Sequence, residues 1–170
     1  MPRNIEIKAK LPELDYYKYR AQEISGQNPQ IINQEDIFFH CPEGRLKLRI
    51  FSSQKGELIF YKRPNYPNIR ESYYLISATT EPLKLRELLT TAYGEKGIVR
   101  KTRNLYLVGR TRIHIDQVEC LGNFIELEVI LDEGEDSEAG RAEGIALMKE
   151  MGIETDHLVN EAYVDLLELS

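Results

Sequence analysis

Alternation of apolar and polar residues predicts most of the strands in this chain. Residues 4–11 alternate strictly, with Ile5 and Ile7 on one face and Glu6 and Lys8 on the other. Because successive side chains of a strand point to opposite faces, the pattern predicts a strand with one apolar and one polar face. Further strand-like segments, separated by residues typical of turns, cover residues 31–39, 45–51, 57–63, 69–76, 98–108, 111–119 and 124–131.

Four other segments have the apolar spacing of helices. Pro12 begins the first, since proline suits the first helical turn, and Gly26 marks its end. Ser137 is the expected N-cap of the third. Eight strands with about four helices favour an antiparallel α+β protein, and a sheet of about eight strands can close into a small barrel with a usable interior. The last three helical segments cover about residues 82–93, 137–151 and 156–167.

Length and composition narrow the class of protein. A chain of 170 residues, 42% hydrophobic and 29% charged, is typical of one soluble globular domain, here residues 1–170. It contains no apolar run near the roughly 20 residues that span a bilayer, and its first ten residues have no signal-peptide core. Cys41 and Cys120 lack the spacing of a disulfide framework or metal site. We therefore expect a cytoplasmic protein with reduced thiols and no membrane contact.

The charge of the chain excludes some partners and points to another. Lysine and arginine total 22 against 28 aspartate and glutamate, a formal net charge of -6, which argues against a general nucleic-acid binder. The total conceals a segregation, since basic residues concentrate on a few strand-like segments while acidic residues cluster elsewhere, as at 133–136. Segregated charge in a net-acidic protein predicts a local anion site.

Charged residues share faces on five of the predicted strands. A sheet with a solvated outer face would explain any one of these strands. Like charges facing one another across several strands destabilise a sheet, however, unless a polyanion and metal ions lie between them. A barrel lined in this way would offer cations to phosphate oxygens and carboxylates to a divalent metal. The shared faces carry Glu6 and Lys8; Arg45, Lys47 and Arg49; Lys101 and Arg103; Arg110, Arg112, His114 and Asp116; and Glu126 and Glu128.

These residue types suit phosphoryl chemistry. Arginine grips phosphate oxygens through paired N–H donors and lysine adds a point charge. Mg²⁺ and Mn²⁺ bind a few carboxylate oxygens and complete their shell with water and phosphate. Catalysis would then depend on positioning and charge neutralisation, without a covalent nucleophile. Consistent with this, the sequence has no P-loop, no GxGxxG, no nucleophile elbow and no HExxH.

The ordered set of charged segments also resembles the CYTH superfamily, or triphosphate tunnel metalloenzymes. Residues 4–10, NIEIKAK, resemble its ExExK signature, and the resemblance continues in order through RLKLR at 45–49, YKRP at 61–64, RKTR at 100–103 and IELE at 125–128. The superfamily includes class IV adenylate cyclases, thiamine triphosphatases and inorganic triphosphatases. Among these groups, the residues of the charged segments are most similar to those of class IV adenylate cyclase-like proteins.

The resemblance implies a fold and a set of site residues. The fold would be an eight-stranded antiparallel closed β-barrel, flanked by helices, with a tunnel for a small-molecule triphosphate and for Mg²⁺ or Mn²⁺. Lys62 and Arg63 have opposite parity, so only one can point inward, and we assign Lys62. Asp116 should face the tunnel, and His114 would either contact substrate or be a satisfied buried histidine. The resemblance implies catalytic roles for Lys8 and Glu126, metal ligation by Glu6, Glu126 and Glu128, and substrate binding by Lys8, Lys47, Arg49, Lys62, Arg103 and Arg112.

The predicted function is a metal-dependent enzyme acting on a triphosphate, similar to a class IV adenylate cyclase. In a cyclase the ribose 3′-hydroxyl attacks the α-phosphorus, whereas in a triphosphatase water attacks the γ-phosphorus, and the same residues serve both. Asn4 stands where the signature has its first glutamate. Asparagine keeps an oxygen ligand but loses a charge, which motivates a non-catalytic polyphosphate- or nucleotide-binding module as a second hypothesis. A structural α+β protein with solvated strand charges is the third.

Overall fold

The computed structural model describes residues 2–63 and 69–169, in which the chain forms eight strands and four α-helices. The strands are β1 (Arg3–Lys10), β2 (Gln30–Phe39), β3 (Arg45–Ser52), β4 (Lys55–Lys62), β5 (Ile69–Thr79), β6 (Glu95–Val108), β7 (Thr111–Val118) and β8 (Gly122–Leu131). The helices are α1 (Leu14–Ser25), α2 (Pro82–Tyr93), α3 (Ser137–Met151) and α4 (Tyr163–Leu169). No helix in these ranges combines the length and apolar character needed to cross a membrane.

The strands close into one antiparallel barrel. Their order around the barrel is β1-β5-β4-β3-β2-β6-β7-β8, and β8 pairs with β1 to complete the ring. At the closure Glu6 of β1 lies opposite Arg70 of β5 on one side and opposite Glu128 of β8 on the other. The prediction of an eight-stranded antiparallel closed barrel flanked by helices is confirmed.

The apolar faces of the strands point outward, beneath the helices. Ile7 and Leu127, on adjacent strands, are buried against Leu147 and Met151 of α3. On another side of the barrel, Leu89 of α2 packs with buried side chains of β2 and β3. Full burial of such a side chain contributes about 1.5–3 kcal/mol, so the helices hold this outer layer in place. Since side chains alternate along a strand, the opposite faces, which carry most of the buried charged residues, point to the interior.

The C-terminal residues depart from the predicted helix over 156–167. A short 3-10 turn covers Thr155–His157, an extended stretch follows, and α4 begins only at Tyr163. Leu158 forms a β-bridge with Ala9 of β1, which holds this stretch extended. Gly97 of β6 lets α4 pack closely against the barrel, because a Cβ at this position would lie 2.7 Å from Val164 Cγ2.

The N-cap of α3 also differs from the prediction. Asp136 occupies that position, and its carboxylate accepts a hydrogen bond of 3.1 Å from the backbone N–H of Glu138. Ser137 is the first helical residue instead. Both residue types cap helices well, so the sequence placed the helix start within one residue.

Candidate functional site

The barrel encloses a cavity of about 250 Å³ with charged walls. Inward-facing residues of all eight strands contribute to it, together with Ala162 and Tyr163 from the start of α4. Most of the charged residues on the predicted shared faces therefore converge on one interior space, whereas Arg45 pairs with Asp165 and Arg110 with Glu135 and Glu143 outside the cavity lining. The charged residues of its lining are Glu6, Lys8, Asp36, Lys47, Arg49, Arg63, Lys101, Arg103, Arg112, Glu126 and Glu128.

Two glutamates of β8 form the acidic wall of the cavity. In the antiparallel register Glu126 lies opposite Lys8 of β1 and His114 of β7. Glu128, two residues along, lies opposite Glu6 and Arg112. Oxygen atoms of Glu126 and Glu128 and a ring nitrogen of His114 all lie within 4.8 Å of one another, which is close enough for one cation to reach all three.

Glu6 lies beside this trio and pairs with a different group. Its carboxylate is 3.3 Å from a guanidinium nitrogen of Arg63. Burial raises the pKa of Glu6, and the facing carboxylates of Glu128 and Glu126 raise it further, while Arg63 opposes both effects. The role of Glu6 as a metal ligand stays a prediction.

Three cations surround Asp36 of β2. Arg49 donates two hydrogen bonds of 2.9 Å to it from Nε and Nη2, and Lys47 Nζ and Lys101 Nζ lie 3.4 and 3.8 Å away. Burial by itself would raise the pKa of Asp36, but Arg49, Lys47 and Lys101 together hold it well below its usual range. The aspartate is therefore ionised and fixes the guanidinium of Arg49 in the cavity wall.

Arg103 has a matching partner on the next strand. It donates from Nε and Nη2 to the two carboxylate oxygens of Asp116 at 2.8 and 2.7 Å, and the Tyr163 hydroxyl also donates to that carboxylate at 3.0 Å. All three residues are buried. The same Nη2 of Arg103 lies 3.7 Å from Glu126, so this network reaches the acidic wall.

Lys8 lies between the acidic wall and the C-terminal segment. Its Nζ is 3.7 Å from Glu126, donates to the carbonyl oxygen of Glu161 at 3.1 Å and lies 4.2 Å from the centre of the Tyr163 ring. Burial lowers the pKa of Lys8 to about 8 against the attraction of Glu126. Burial also lowers the pKa of Lys101 to about 8, and the nearby positive charge of Arg103 lowers it further.

The structure places Lys62 outside the barrel, so the prediction that it lines the tunnel is wrong. Its side chain is 57% exposed and pairs with Glu43 at 2.6 Å, whereas Arg63 faces the cavity. Tyr61 also lines the cavity, and alternation along β4 then turns the next residue outward. The segment 57–63 has apolar residues at both parities, so the sequence pattern could not decide its inner face.

The other predicted substrate-binding residues all line the cavity, and Asp116 faces inward as expected. Arg112 lies near solvent, with its side chain 46% exposed and 3.8 Å from Glu128. The sequence analysis missed Asp36, Arg63 and Tyr163. The sequence contained one indication of the role of Asp36, because it is the only acidic residue at the inward parity of the predicted strand 31–39.

Three polar atoms in the buried wall have no hydrogen-bond partner within the part of the chain that the structure describes. They are Asn4 Oδ1, Gln34 Oε1 and His114 Nδ1, and all three residues line the cavity. A buried polar group without a partner costs about 1–3 kcal/mol, and natural proteins leave few of them. Such atoms are available to water or to a ligand in the cavity.

The sequence model of the CYTH domain family matches residues 2–163. The chain belongs to the CYTH domain family. This membership agrees with the resemblance drawn from residues 4–10 and the later charged segments, and with the closed barrel that brings those segments together.

This CYTH protein is similar over nearly its whole length to one curated protein and to several solved structures. A protein of Methanocaldococcus jannaschii named "Putative adenylate cyclase MJ0240" is 24% identical over 95% of this chain and 97% of its own. The PH1012 protein from Pyrococcus horikoshii superposes with a TM-score of 0.85 at 24% identity, over 96% and 98% of the two chains. HpAC1 from Hippeastrum, described as a putative adenylyl cyclase with a dominant triphosphatase activity, has a TM-score of 0.68 at 16% identity, over 98% and 95%. The two structural likenesses show the shared fold.

Proposed function

We propose that this CYTH protein is a divalent-metal-dependent enzyme that binds a triphosphate inside the barrel and cleaves it. The observation that carries the proposal is an enclosed cavity in which a wall of lysines and arginines faces two carboxylates two residues apart on one strand. A triphosphate and a metal ion would together neutralise both walls. A structural protein with solvated charges has no reason to bury them in this way, since burying a charge is costly.

The two buried arginines are prepared to hold phosphate. A guanidinium has five N–H donors, and Asp36 or Asp116 takes two from its arginine. No other hydrogen bond of the Arg49 or Arg103 guanidinium forms within the described part of the chain, so their remaining donors can bind phosphate oxygens while the aspartates keep the guanidinium planes oriented. Binding a rigid, oriented group loses less side-chain entropy than ordering a mobile one.

Glu126 and Glu128 would hold the divalent metal. Two carboxylates with neighbouring open space suit Mg²⁺ or Mn²⁺, which keep water and phosphate oxygens as further ligands. Such a metal neutralises developing charge on the phosphate oxygens it contacts. Lys8, beside Glu126, would donate a hydrogen bond to the phosphate at which cleavage occurs, and this is the catalytic role we assign to it.

Hydrolysis of a small triphosphate is the reaction that the cavity supports best. Its volume of about 250 Å³ lies below the roughly 300–1,000 Å³ of pockets that enclose drug-sized ligands, so it suits a phosphate chain better than a whole nucleotide. The oxygen of water attacks the terminal phosphorus, and one of its protons passes to a departing phosphate oxygen or to bulk water. The bond from that phosphorus to the bridging oxygen breaks, and the bridging oxygen leaves with the rest of the chain.

Adenylate cyclase activity is the second candidate. The half-exposed Arg112 and the aromatic ring of Tyr74 both line the cavity, so a nucleoside outside the phosphate site could contact a cation and a ring. The name of the Methanocaldococcus jannaschii relative supports the same activity. Here the ribose 3′-oxygen forms a bond to the α-phosphorus, the bond from that phosphorus to the bridging oxygen breaks, and pyrophosphate leaves while the hydroxyl proton passes to pyrophosphate or to bulk water.

Product analysis separates the two reactions. The protein is incubated with inorganic triphosphate, thiamine triphosphate and ATP, each with Mg²⁺ or Mn²⁺, and the products are identified. Release of orthophosphate supports hydrolysis, and cyclic AMP with pyrophosphate supports the cyclase. Tight binding of all three without any product would contradict the enzyme and favour a binding module.

Inward and outward lysines should differ in their effect on triphosphate affinity. We expect Lys47→Ala to weaken binding of inorganic triphosphate at least tenfold, because it removes a charge-assisted hydrogen bond worth about 1.5–3 kcal/mol. Lys62→Ala removes the same charge from the outer face and serves as the matched control, with an expected change of less than about twofold at moderate salt. Calorimetric titration measures both, and equal losses would contradict the interior site.

Triphosphate binding should take up protons at alkaline pH. Lys8 and Lys101 have pKa values of about 8 in the free protein, and a bound polyanion raises the pKa of a neighbouring lysine. At pH 8.5 both lysines are partly deprotonated, so binding protonates them, and affinity falls as pH rises through this range. Below pH 7 both already carry their protons, so their uptake disappears. Calorimetry at pH 8.5 in buffers of different ionisation enthalpy measures the uptake, and its absence would contradict this account.

A further inference from the structure

We infer that His114 is a ligand of the metal in this cavity, so that the site combines one imidazole nitrogen with two carboxylates and prefers transition-metal ions to Mg²⁺. The inference rests on the proposed function, because it concerns the metal bound by Glu126 and Glu128. It identifies the third protein ligand as His114, from β7, in place of Glu6, from β1.

The register of the barrel brings the histidine to the carboxylates. His114 lies directly opposite Glu126 in the β7–β8 pair, and both side chains face the cavity. A ring nitrogen of His114 lies within 4.8 Å of oxygens of both glutamates, with all three atoms mutually within that distance. Metal–ligand bonds of about 2.0–2.2 Å separate the donors of one ion by distances of this order after small side-chain adjustments.

The environment of His114 does not explain the ring as a satisfied core histidine. The residue is only 4% exposed, and its Nδ1 has no hydrogen-bond partner among the described residues. Across the β6–β7 pair its neighbour is Leu105, which offers no polar side-chain atom. The ring therefore has a buried nitrogen without a partner, and one of its nitrogens lies within reach of two carboxylates.

Glu6 is less suited to be the third ligand. Its carboxylate is engaged by Arg63 at 3.3 Å and lies outside the trio of donors. Two residues before it, Asn4 occupies a position where the CYTH signature has a glutamate, so β1 supplies less negative charge than the signature would. The nitrogen of His114 therefore supplies the third metal donor, which β1 does not supply.

The donor set determines the preferred ion. Mg²⁺ strongly favours oxygen ligands in an octahedron, whereas imidazole suits first-row transition metals. For a site with nitrogen and oxygen donors, affinity rises from Mn²⁺ through Co²⁺, and Zn²⁺ also binds more tightly than Mn²⁺. Removing the nitrogen should therefore weaken Co²⁺ and Mn²⁺ binding and leave Mg²⁺ binding nearly unchanged.

Pulsed electron paramagnetic resonance of Mn²⁺ bound to the whole protein tests the inference directly. We expect modulation from one directly coordinated ¹⁴N nucleus, which changes to the ¹⁵N pattern when the protein is made with ¹⁵N-histidine. The signal should persist in His40→Gln and His157→Gln, which alter the other two histidines of the chain. The measurement on the unsubstituted protein does not depend on the folding of any variant.

Metal titrations of His114→Gln give the second measurement. We expect Co²⁺ affinity to fall at least about 10- to 100-fold, the loss seen when even an outer partner of a metal site is removed, with a change of less than about threefold for Mg²⁺. Mn²⁺ binding without nitrogen coupling, or equal losses for Co²⁺ and Mg²⁺, would overturn the role of His114 and leave the proposed function standing. If inorganic triphosphate binds and no divalent ion does, both the inference and the metal-dependent function fail.

Discussion

Replacing Glu126 by glutamine should lower the rate of triphosphate cleavage at least about 100-fold, because it removes one of the two carboxylates that we propose hold the metal. Glu126 lies opposite both Lys8 and His114, and it is 3.7 Å from Lys8 and from Arg103. Burial would raise the pKa of Glu126, but Lys8, His114 and Arg103 hold it well below its usual range. The carboxylate is therefore charged at neutral pH, as a metal ligand must be.

The control for this variant is Glu13→Gln. Glu13 is exposed at the start of α1 and its side chain makes no capping hydrogen bond, so the substitution removes the same charge without touching the barrel. Steady-state rates with saturating triphosphate and metal are compared for both variants, and circular dichroism confirms that each is folded. If Glu126→Gln kept more than about a third of the original rate, the assignment of the acidic wall as the metal site would be wrong.

Asp116→Ala should have the largest effect on stability. The aspartate is 0% exposed and accepts two hydrogen bonds from the buried Arg103 and one from the Tyr163 hydroxyl. Removing one partner of a buried ion pair leaves an uncompensated charge, which costs about 3–5 kcal/mol. Denaturant unfolding measures the loss in the free energy of unfolding.

Tyr163→Phe distinguishes the contribution of the Arg103–Asp116 ion pair to stability from that of the Tyr163 hydroxyl. This variant removes one hydrogen bond to Asp116 and keeps the ion pair, so we expect a loss of only about 1 kcal/mol. Inorganic triphosphate should restore part of the stability of Asp116→Ala, because it gives Arg103 a new anionic partner and binds only the folded state. Equal losses in the free energy of unfolding for the two variants would show that the Arg103–Asp116 ion pair does not contribute the predicted stability.

Much of the site could be predicted because strands have a period of two. Once residues 4–11 and 124–131 were identified as strands, Glu6, Lys8, Glu126 and Glu128 had to share the face opposite the apolar residues. The same period put Arg49 and Arg103 each on a charged strand face, and the resemblance to the CYTH superfamily implied that these faces line the interior. Their inward position in the structure follows from the outer packing of α1, α2 and α3 on the apolar faces.

Other parts of the site depend on pairings that local sequence does not show. Asp36 matters because it lies opposite Arg49 across β2 and β3, and one acidic residue at the inward parity of its strand gave no reason to expect three cations around it. Tyr163 lies 47 residues from Asp116 in the chain, and only docking of α4 on the barrel brings them together. Such contacts depend on the global fold.

The sequence by itself determined the number of strands and the charged faces of strands with clear alternation, such as β1 and β8. These features arise from hydrophobic burial along a two-residue period, which is a local property of the chain. The tertiary structure alone decided that Arg63 lies inside in place of Lys62, that Glu6 pairs with that arginine and that His114 lies beside the acidic wall. Register and barrel closure set these distances, because they fix which residues of separate strands lie opposite one another.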